Sequence, residues 1–186
     1  MTNDEHFAPR SSRLAIVIVS WNVRDLLARC LDALFRDLDS FQIDARVLVI
    51  DNASTDGSVE MIRAKFPRVE LTASEVNLGF AGGNNLGLRS LGFGNLSWPL
   101  VSYVMLLNPD TEIQHGATKT LLEFIQTNPE VAVVTSQLSF GDGSFQHSAF
   151  HFPGLAQVYM ELLPYPARSY ESRLNGRYAR KLYASG

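Results

Sequence analysis

Continuous apolar runs alternate along the chain with segments in which apolar residues recur at helical spacing. The run at residues 14–20 is rich in β-branched residues, which is typical of a parallel strand covered on both faces. Leu27, Leu31, Leu34 and Phe35 then recur at the spacing of a helix that buries one side. The same alternation predicts strands at residues 14–20, 46–51, 69–72, 101–107 and 131–136, and helices at residues 25–35, 59–66 and 118–127.

Strands that alternate with helices predict an α/β fold, in which right-handed βαβ units build a mostly parallel sheet flanked by helices. We expect strand 101–107 to be buried on both faces. Beyond residue 136 the alternation stops, and the sequence predicts a hairpin at 138–146 and a short helix at 155–163. The pattern therefore predicts a polar, disordered tail at 1–12, a main domain at 13–150 and a further segment at 151–186.

Three of the predicted strands end abruptly in polar side chains. Because the carboxyl ends of parallel strands meet at one edge, and ligands bind at that edge in open α/β sheets, these side chains form a candidate binding site. They belong to Ser20, Asn22, Asp51, Asn52, Asn108 and Asp110.

The Asn108-Pro109-Asp110 tripeptide allows two interpretations. Carboxylate and amide oxygens suit a hard divalent cation, Mg²⁺ or Mn²⁺, with substrate phosphates completing the coordination. The same tripeptide is ordinary turn chemistry, with Asp110 capping a helix that begins near Gln114. Taken alone, the tripeptide favours the turn.

Asp51 opens a dense polar loop at residues 51–58. Its carboxylate can accept the N3–H of a uracil or thymine ring, and Asn52 can accept through its amide oxygen. Ser54 and Asp56 are instead predicted to cap the helix that follows.

The stretch at residues 77–87 holds four glycines and three asparagines. It contains neither a G-x-G-x-x-G nor a G-K-[ST] signature. Glycines at a helix start allow the backbone to approach a ribose or phosphates closely, so this stretch can line a nucleotide site. Gly79 and Asn85 are its candidate contact residues. They can equally allow a helix to pack closely, with Asn84 and Asn85 bonded to local backbone groups, and the two interpretations are evenly matched.

Composition and charge narrow the function classes. A net charge of −3 and a pI near 5.8 argue against a general nucleic-acid binder, which needs clustered Lys and Arg. The single cysteine, Cys30, excludes a disulfide framework within the chain and is expected to be a buried apolar residue. The polar start and the lack of a long apolar run predict a soluble, cytoplasmic protein.

Four motifs in order resemble the GT-A (Rossmann-like) glycosyltransferases of the inverting family 2, and most closely their rhamnosyltransferase-like branch. The motifs lie at residues 16–22, 49–58, 77–87 and 106–110. The resemblance implies a site for a nucleotide-diphosphate sugar, with Ser20, Asn22, Asp51, Asn52, Gly79, Asn85 and Asn108 on the donor and Asp110 on a divalent cation. Asp51 and Asn52 match positions that contact a pyrimidine. Asp110 matches the last carboxylate of the D-x-D metal motif, and Asn108 replaces the first, which implies weaker metal binding.

The resemblance also implies transfer, with inversion, to a saccharide or lipid-linked acceptor, activated by an acidic general base. No Glu-Asp or Asp-Glu pair follows Glu112, while Glu161 and Glu171 are expected at the surface and Asp142 in a turn. We therefore expect residues 151–186 to be an incomplete acceptor-side segment and the chain to end before the base. A binding module without turnover is the alternative.

Two features of the last segment remain open. His147 and His151 are four residues apart, but Pro153 and Gly154 argue against a shared helix face, so acceptor-loop or surface positions are expected. The basic, tyrosine-containing stretch at 168–181 can lie on an anionic membrane at the inner face, although a solvated helix is the favoured interpretation.

Overall fold

The computed structural model describes residues 14–94 and 101–150, together with positions 154, 155, 158 and 162. It confirms the predicted α/β alternation. The elements are β1 (Leu14–Ser20), α1 (Arg24–Ser40), β2 (Ala45–Asp51), α2 (Ser58–Lys65), β3 (Val69–Ala73), α3 (Gly79–Ser90), β4 (Tyr103–Leu107), α4 (Ala117–Thr127), β5 (Leu138–Ser139) and β6 (Phe145–Gln146).

The chain divides into two compact units, Met1–Lys119 and Thr120–Gly186. The first contains a four-stranded parallel sheet in the order β3-β2-β1-β4. Ser20 is in register with Asp51, and Ile18 with Leu107, so β1, β2 and β4 end at the same edge. The second contains the antiparallel pair of β5 and β6, which confirms the predicted hairpin.

The core lies on both faces of β1, whose seven residues are all buried. On one face, Ile16 and Ile18 pack with the apolar side of α1, including Leu27 and Leu31. On the other face Val17 belongs to a second apolar cluster, beside which α3 lies. Burial on two faces explains why the strand sequence is continuously apolar rather than alternating.

Two glycines bring α3 close to the sheet. A Cβ at Gly83 would lie 2.7 Å from Val19 Cγ1, and one at Gly87 would lie 2.6 Å from Val17 Cγ1. Real side chains do not approach so closely, so only glycine allows this helix to pack at this distance. The packing interpretation is confirmed for these two positions.

Two predictions about strands were wrong. Residues 131–136 form no strand, and Val133 is 83% exposed. A strand needs ladder hydrogen bonds to a neighbour, and apolar composition cannot supply them. The strand near residues 101–107 is shorter than predicted and not buried on both faces, because within the described residues β4 is an edge strand with Leu106 52% exposed.

Several predictions lie outside the described residues. They concern the tail at 1–12, most of the segment at 151–186, His151, Glu161, Glu171 and all but three positions of the helix predicted at 155–163. None of the helices in the described part of the chain combines the length and apolar character that a membrane crossing requires.

Candidate functional site at the carboxyl edge of the sheet

Three buried polar atoms lie at the ends of β1 and β2 and lack hydrogen-bond partners among the described residues. They are Ser20 Oγ, Asp51 Oδ1 and Asn52 Oδ1, on residues that are at most 2% exposed. Buried polar groups are nearly always paired in native proteins, and an orphaned one costs about 1–3 kcal/mol. Because ligands bind at this edge in open α/β sheets, the three atoms mark a candidate site for a polar ligand.

The orientation of both acceptors is fixed by their other atoms. Asp51 Oδ2 accepts the N–H of Ser54 at 2.9 Å, which leaves Oδ1 as the unpaired oxygen. Asn52 Nδ2 donates to the carbonyl of Gly79 at 3.1 Å, which leaves the amide oxygen unpaired. The N–H of Asn52 also donates to the carbonyl of Ser20 at 2.8 Å. The edge thus presents two preorganised acceptors, one of them a carboxylate.

Asn22 connects the loops that follow β1 and β2. Its backbone is in the left-handed region, with φ of 52°. Its N–H donates to Ser54 Oγ at 2.9 Å, and its side-chain oxygen accepts the N–H of Thr55 at 2.8 Å. Asn22 therefore shapes the Asp51 loop, whereas its contact with a donor stays a prediction. Ser54 bonds to Asn22 instead of capping a helix, so that prediction was wrong.

Asp56 caps two helices at once. Its carboxylate accepts the N–H of Arg24, the first residue of α1, at 2.8 Å and the N–H of Ser58, the first residue of α2, at 3.1 Å. Partial burial raises the pKa of Asp56, but the hydrogen bonds from Ser58 and Arg24 outweigh it and hold the pKa below its usual value. The capping prediction for Asp56 is confirmed.

Asn108 and Asp110 lie just after β4, at the same edge, and both are exposed. The carbonyl of Asn108 accepts from the hydroxyl of Thr111 at 2.7 Å, which is turn chemistry. Asp110 does not cap the next helix as the turn interpretation predicted. The carboxylate of Asp37 binds that N-terminus instead, accepting from Gly116 and Thr118.

No group of three or more potential metal-binding side chains occurs among residues 14–94 and 101–150 or the isolated described positions. The candidate donors just after β4 are the exposed carboxylate of Asp110 and the neighbouring Asn108. Mg²⁺ is commonly held by one or two carboxylates together with substrate phosphates. These residues therefore fit a cation that arrives with, or is completed by, a phosphorylated ligand.

Cys30 lies beneath the Asp110 turn and donates its thiol to the carbonyl of Asn108 at 3.6 Å. It is fully buried, and burial raises the pKa of the thiol to about 12. A protonated, inaccessible thiol is not a nucleophile. Cys30 is the buried, small residue expected from the sequence.

The remaining candidates differ in exposure and in their local contacts. Asn85 is exposed on α3, and its donor contact stays a prediction. Asn84 is buried and donates to the carbonyl of Phe80 at 2.9 Å, as the packing interpretation expected. Asp142 accepts the N–H of Ser144 in the hairpin turn, which confirms its predicted turn role. His147 packs edge-on against Phe145.

Sequence reasoning missed one candidate side chain beside the orphaned atoms. Trp21 directly follows Ser20 at the end of β1 and is 56% exposed. An exposed indole next to buried polar acceptors offers an apolar face for a flat ring. The sequence could have indicated this position, because a large aromatic residue directly after a buried strand lies at the edge of the sheet and is poorly placed to join the core.

Solved structures similar to this one share its fold. S. aureus TarS in complex with UDP-GlcNAc matches with a TM-score of 0.53 at 16% identity, covering 69% of this chain and 38% of that one. A mannosyltransferase of Pyrobaculum calidifontis in complex with GDP-Man and Mn²⁺ matches with a TM-score of 0.50 at 19% identity, covering 67% and 34%. These likenesses confirm the predicted GT-A fold.

Sequence comparison identifies the family. The N-acetylglucosaminyl-diphospho-decaprenol L-rhamnosyltransferases of two Mycobacterium tuberculosis strains are 31% identical over 112 residues, covering 59% of this chain. The chain spans 36% of the length of these curated relatives. The model of glycosyl transferase family 2 matches residues 15–180. The chain therefore belongs to glycosyl transferase family 2.

Proposed function

We propose that the carboxyl edge of the sheet binds a pyrimidine nucleotide-diphosphate sugar, from which the sugar is transferred with inversion to a saccharide or lipid-linked acceptor. The observation that carries the proposal is the pair of fixed, unpaired acceptors, Asp51 Oδ1 and Asn52 Oδ1. A uracil or thymine ring supplies an N3–H donor and a ribose supplies hydroxyl donors, so one nucleoside can satisfy both. Family membership supports glycosyl transfer as the reaction class.

Each residue at the edge has a proposed role in holding the donor. Asp51 accepts the N3–H of the base, Asn52 and Ser20 bind the adjoining polar groups, and Gly79 and Asn85 form the wall on the α3 side. Asp110, with Asn108, faces the diphosphate and holds Mg²⁺ or Mn²⁺. A bound divalent cation would neutralise the charge that develops on the departing diphosphate.

The acceptor class rests on the relatives. The mycobacterial rhamnosyltransferases are, by name, enzymes that act on N-acetylglucosaminyl-diphospho-decaprenol. A lipid-linked acceptor of this kind would bring the protein to the cytoplasmic face of a membrane. The basic residues at 168–181 would favour contact with anionic lipids there.

Calorimetric titration tests the donor site directly. The protein is titrated with dTDP-rhamnose, UDP-glucose and GDP-mannose, each with Mn²⁺ and with a chelator. We expect saturable binding of the two pyrimidine donors that strengthens with Mn²⁺, and weaker binding of the guanine donor. Equal affinity for all three would contradict the base-reading role of Asp51, and no binding of any donor would contradict the proposal.

Release of free nucleoside diphosphate separates an enzyme from a binding module with the same site. After donor binding is established, a candidate saccharide or lipid-linked acceptor is added to the donor complex. Release above the rate measured without acceptor would support transfer. Binding without acceptor-dependent release would favour the binding module.

Trp21 is expected to stack on the nucleobase. Replacing Trp21 with alanine removes the apolar face beside Ser20, and base–aromatic stacking contributes about 1–3 kcal/mol per base. We expect Trp21→Ala to raise the Kd for UDP about 10-fold or more, whereas Trp21→Phe retains most of the affinity. Fluorescence titration of the wild type should show quenching of Trp21 on binding, and equal affinity of the alanine variant and the wild type would refute the stacking role.

Asp110 is expected to act only through the cation. Asp110→Asn removes the carboxylate but keeps the size of an exposed side chain, so the fold should be unchanged. We expect calorimetry to show loss of most of the Mn²⁺-dependent gain in UDP-glucose affinity, with the affinity in chelator unchanged. Asp32→Asn, an equal charge change at an exposed position of α1, serves as the control. A full Mn²⁺-dependent gain in Asp110→Asn would exclude Asp110 from the metal site.

A further inference from the structure

The connection between β4 and α4, residues 108–116, contains Asp110 and contacts α1 at several points. Within residues 108–116, the carbonyl of Asn108 accepts the thiol of Cys30 at 3.6 Å, and the carboxylate of Glu112 pairs with Arg29 at 3.2 Å. Nearer its end, the ring of His115 lies 4.8 Å from that of Phe41, just after α1. The connection therefore runs alongside α1, from its N-terminal half to its C-terminal end.

The end of this connection is held by a buried charge. Asp37 on α1 is 2% exposed, and its two carboxylate oxygens accept separate backbone N–H groups. Oδ1 accepts from Gly116 at 2.5 Å and Oδ2 accepts from Thr118 at 3.1 Å. Because α4 begins at Ala117, Asp37 caps its N-terminus from a different helix and interacts favourably with the helix dipole.

The approach of the connection to α1 depends on the backbone at Gly116. Its φ is +82°, in the region that disfavours side chains, and a Cβ there would lie 3.5 Å from the ring of Phe41. The space beside Phe41 would admit a Cβ, so it is the positive φ that favours glycine, which adopts this conformation without strain while its N–H points at Asp37. The cap is therefore specified by residues about eighty positions apart in the chain.

We propose that Asp37 is a positioning residue for the metal-binding carboxylate, and that α1 fixes where Asp110 stands relative to the bound diphosphate. The inference rests on the proposed function of Asp110. Asp110 is exposed, and the two ends of its connection are set by β4, where Leu107 pairs with Ile18, and by Asp37. Mg²⁺ requires near-ideal octahedral geometry, so displacement of a ligand by a fraction of an ångström weakens its binding.

The test uses an isosteric change at Asp37 and a matched change on the same helix. In Asp37→Asn one oxygen still accepts an N–H, but the amide group faces the other N–H and cannot accept from it. Asp39→Asn alters the charge equally, two residues away, at an exposed carboxylate that pairs with Arg68. Removing groups that orient a metal ligand typically lowers metal affinity about 10- to 100-fold.

Calorimetry with UDP-glucose provides the first measurement. We expect Asp37→Asn to lose about 10-fold in Mn²⁺ affinity at saturating nucleotide, with the Kd for UDP-glucose in chelator unchanged, and Asp39→Asn to match the wild type in both. A merely structural role would weaken binding in chelator as well. Unchanged Mn²⁺ affinity in Asp37→Asn, or equal losses with and without metal, would overturn the inference.

Amide hydrogen exchange provides a measurement that does not depend on the proposed function. We expect faster exchange across residues 108–118 in Asp37→Asn and no change there in Asp39→Asn. Unchanged exchange would show that Asp37 does not hold residues 108–118, even if the protein binds no nucleotide. Faster exchange in a protein that binds donors without metal would overturn only the proposed effect of Asp37 on metal binding by Asp110. If Asp37→Asn does not fold, Arg29→Gln breaks an exposed attachment and should still speed exchange near Glu112.

Discussion

Replacing Asp51 with asparagine is expected to shift the base preference of the proposed donor site from uracil to cytosine. The N–H of Ser54 would hold the new side-chain oxygen in the place of Asp51 Oδ2. The amide NH₂ would then occupy the place of the unpaired Oδ1, so that an acceptor becomes a donor. Uracil presents N3–H there and is rejected, whereas the N3 of cytosine is an acceptor and is accommodated.

The expected change in affinity is large. A hydrogen bond to a charged group contributes about 1.5–3 kcal/mol, which corresponds to roughly a 10- to 150-fold change in Kd. Calorimetry with UDP and CDP should show at least a 10-fold loss for UDP in Asp51→Asn, with CDP equal or tighter than in the wild type. Asp32→Asn controls for the lost charge. Equal losses for UDP and CDP would mean that Asp51 does not read N3.

The buried scaffold of the site was predictable because its signals are local. A run of apolar residues that is covered on both faces, as at β1, encodes a central strand in its own composition. The abrupt change from apolar to polar at Ser20 and Asp51 marks the carboxyl ends of two strands, and parallel pairing brings these ends to one edge. Position at the edge follows from topology, which the strand–helix alternation specifies.

The parts that escaped prediction depend on contacts between distant residues. Asp37 reads as one polar position on a helix, and nothing in its neighbourhood reveals that its partners are the N–H groups of Gly116 and Thr118. The local sequence around Asn22 likewise does not reveal that its side-chain oxygen accepts the N–H of Thr55, whereas its predicted contact with a donor stays a prediction. Residues 131–136 have the composition of a strand, but a strand also needs a neighbouring strand, and these six residues do not determine whether one is present.

For the glycines of α3, the sequence allowed two interpretations, close packing of the helix and a backbone that faces a nucleotide. The structure assigns different glycines different roles. Gly83 and Gly87 are packing residues, because a Cβ at either would overlap a valine of β1. Gly79 has a different role, since its carbonyl orients the amide of Asn52 at the binding edge. The same short segment thus sets the distance of the helix from the sheet and the orientation of a proposed donor-binding side chain.

The pair of changes Gly87→Ala and Val17→Ala should test both the close packing of α3 on β1 and the orientation of Asn52 by the Gly79 carbonyl. In Gly87→Ala the new Cβ would lie 2.6 Å from Val17 Cγ1, and Val17 is fully buried and cannot yield. Overpacking of this kind costs about 1–3 kcal/mol, which exceeds or matches the gain of about 1 kcal/mol from replacing glycine with alanine in a helix. Val17→Ala makes room for the methyl group, so we expect the double variant to be more stable than the sum of the single changes predicts.

The measurements are urea unfolding of the four members of this cycle and UDP-glucose titration of each. A favourable coupling of about 1 kcal/mol or more is expected for residues in direct contact. Gly82→Ala lies in the same helix and would place its Cβ 3.0 Å from Cβ of the exposed Leu78, away from the buried valines, so it should cost less than Gly87→Ala. Additive changes in unfolding free energy would refute the close packing. Because a displaced α3 also moves the Gly79 carbonyl away from Asn52, we expect donor affinity to fall in Gly87→Ala and to recover in the double variant.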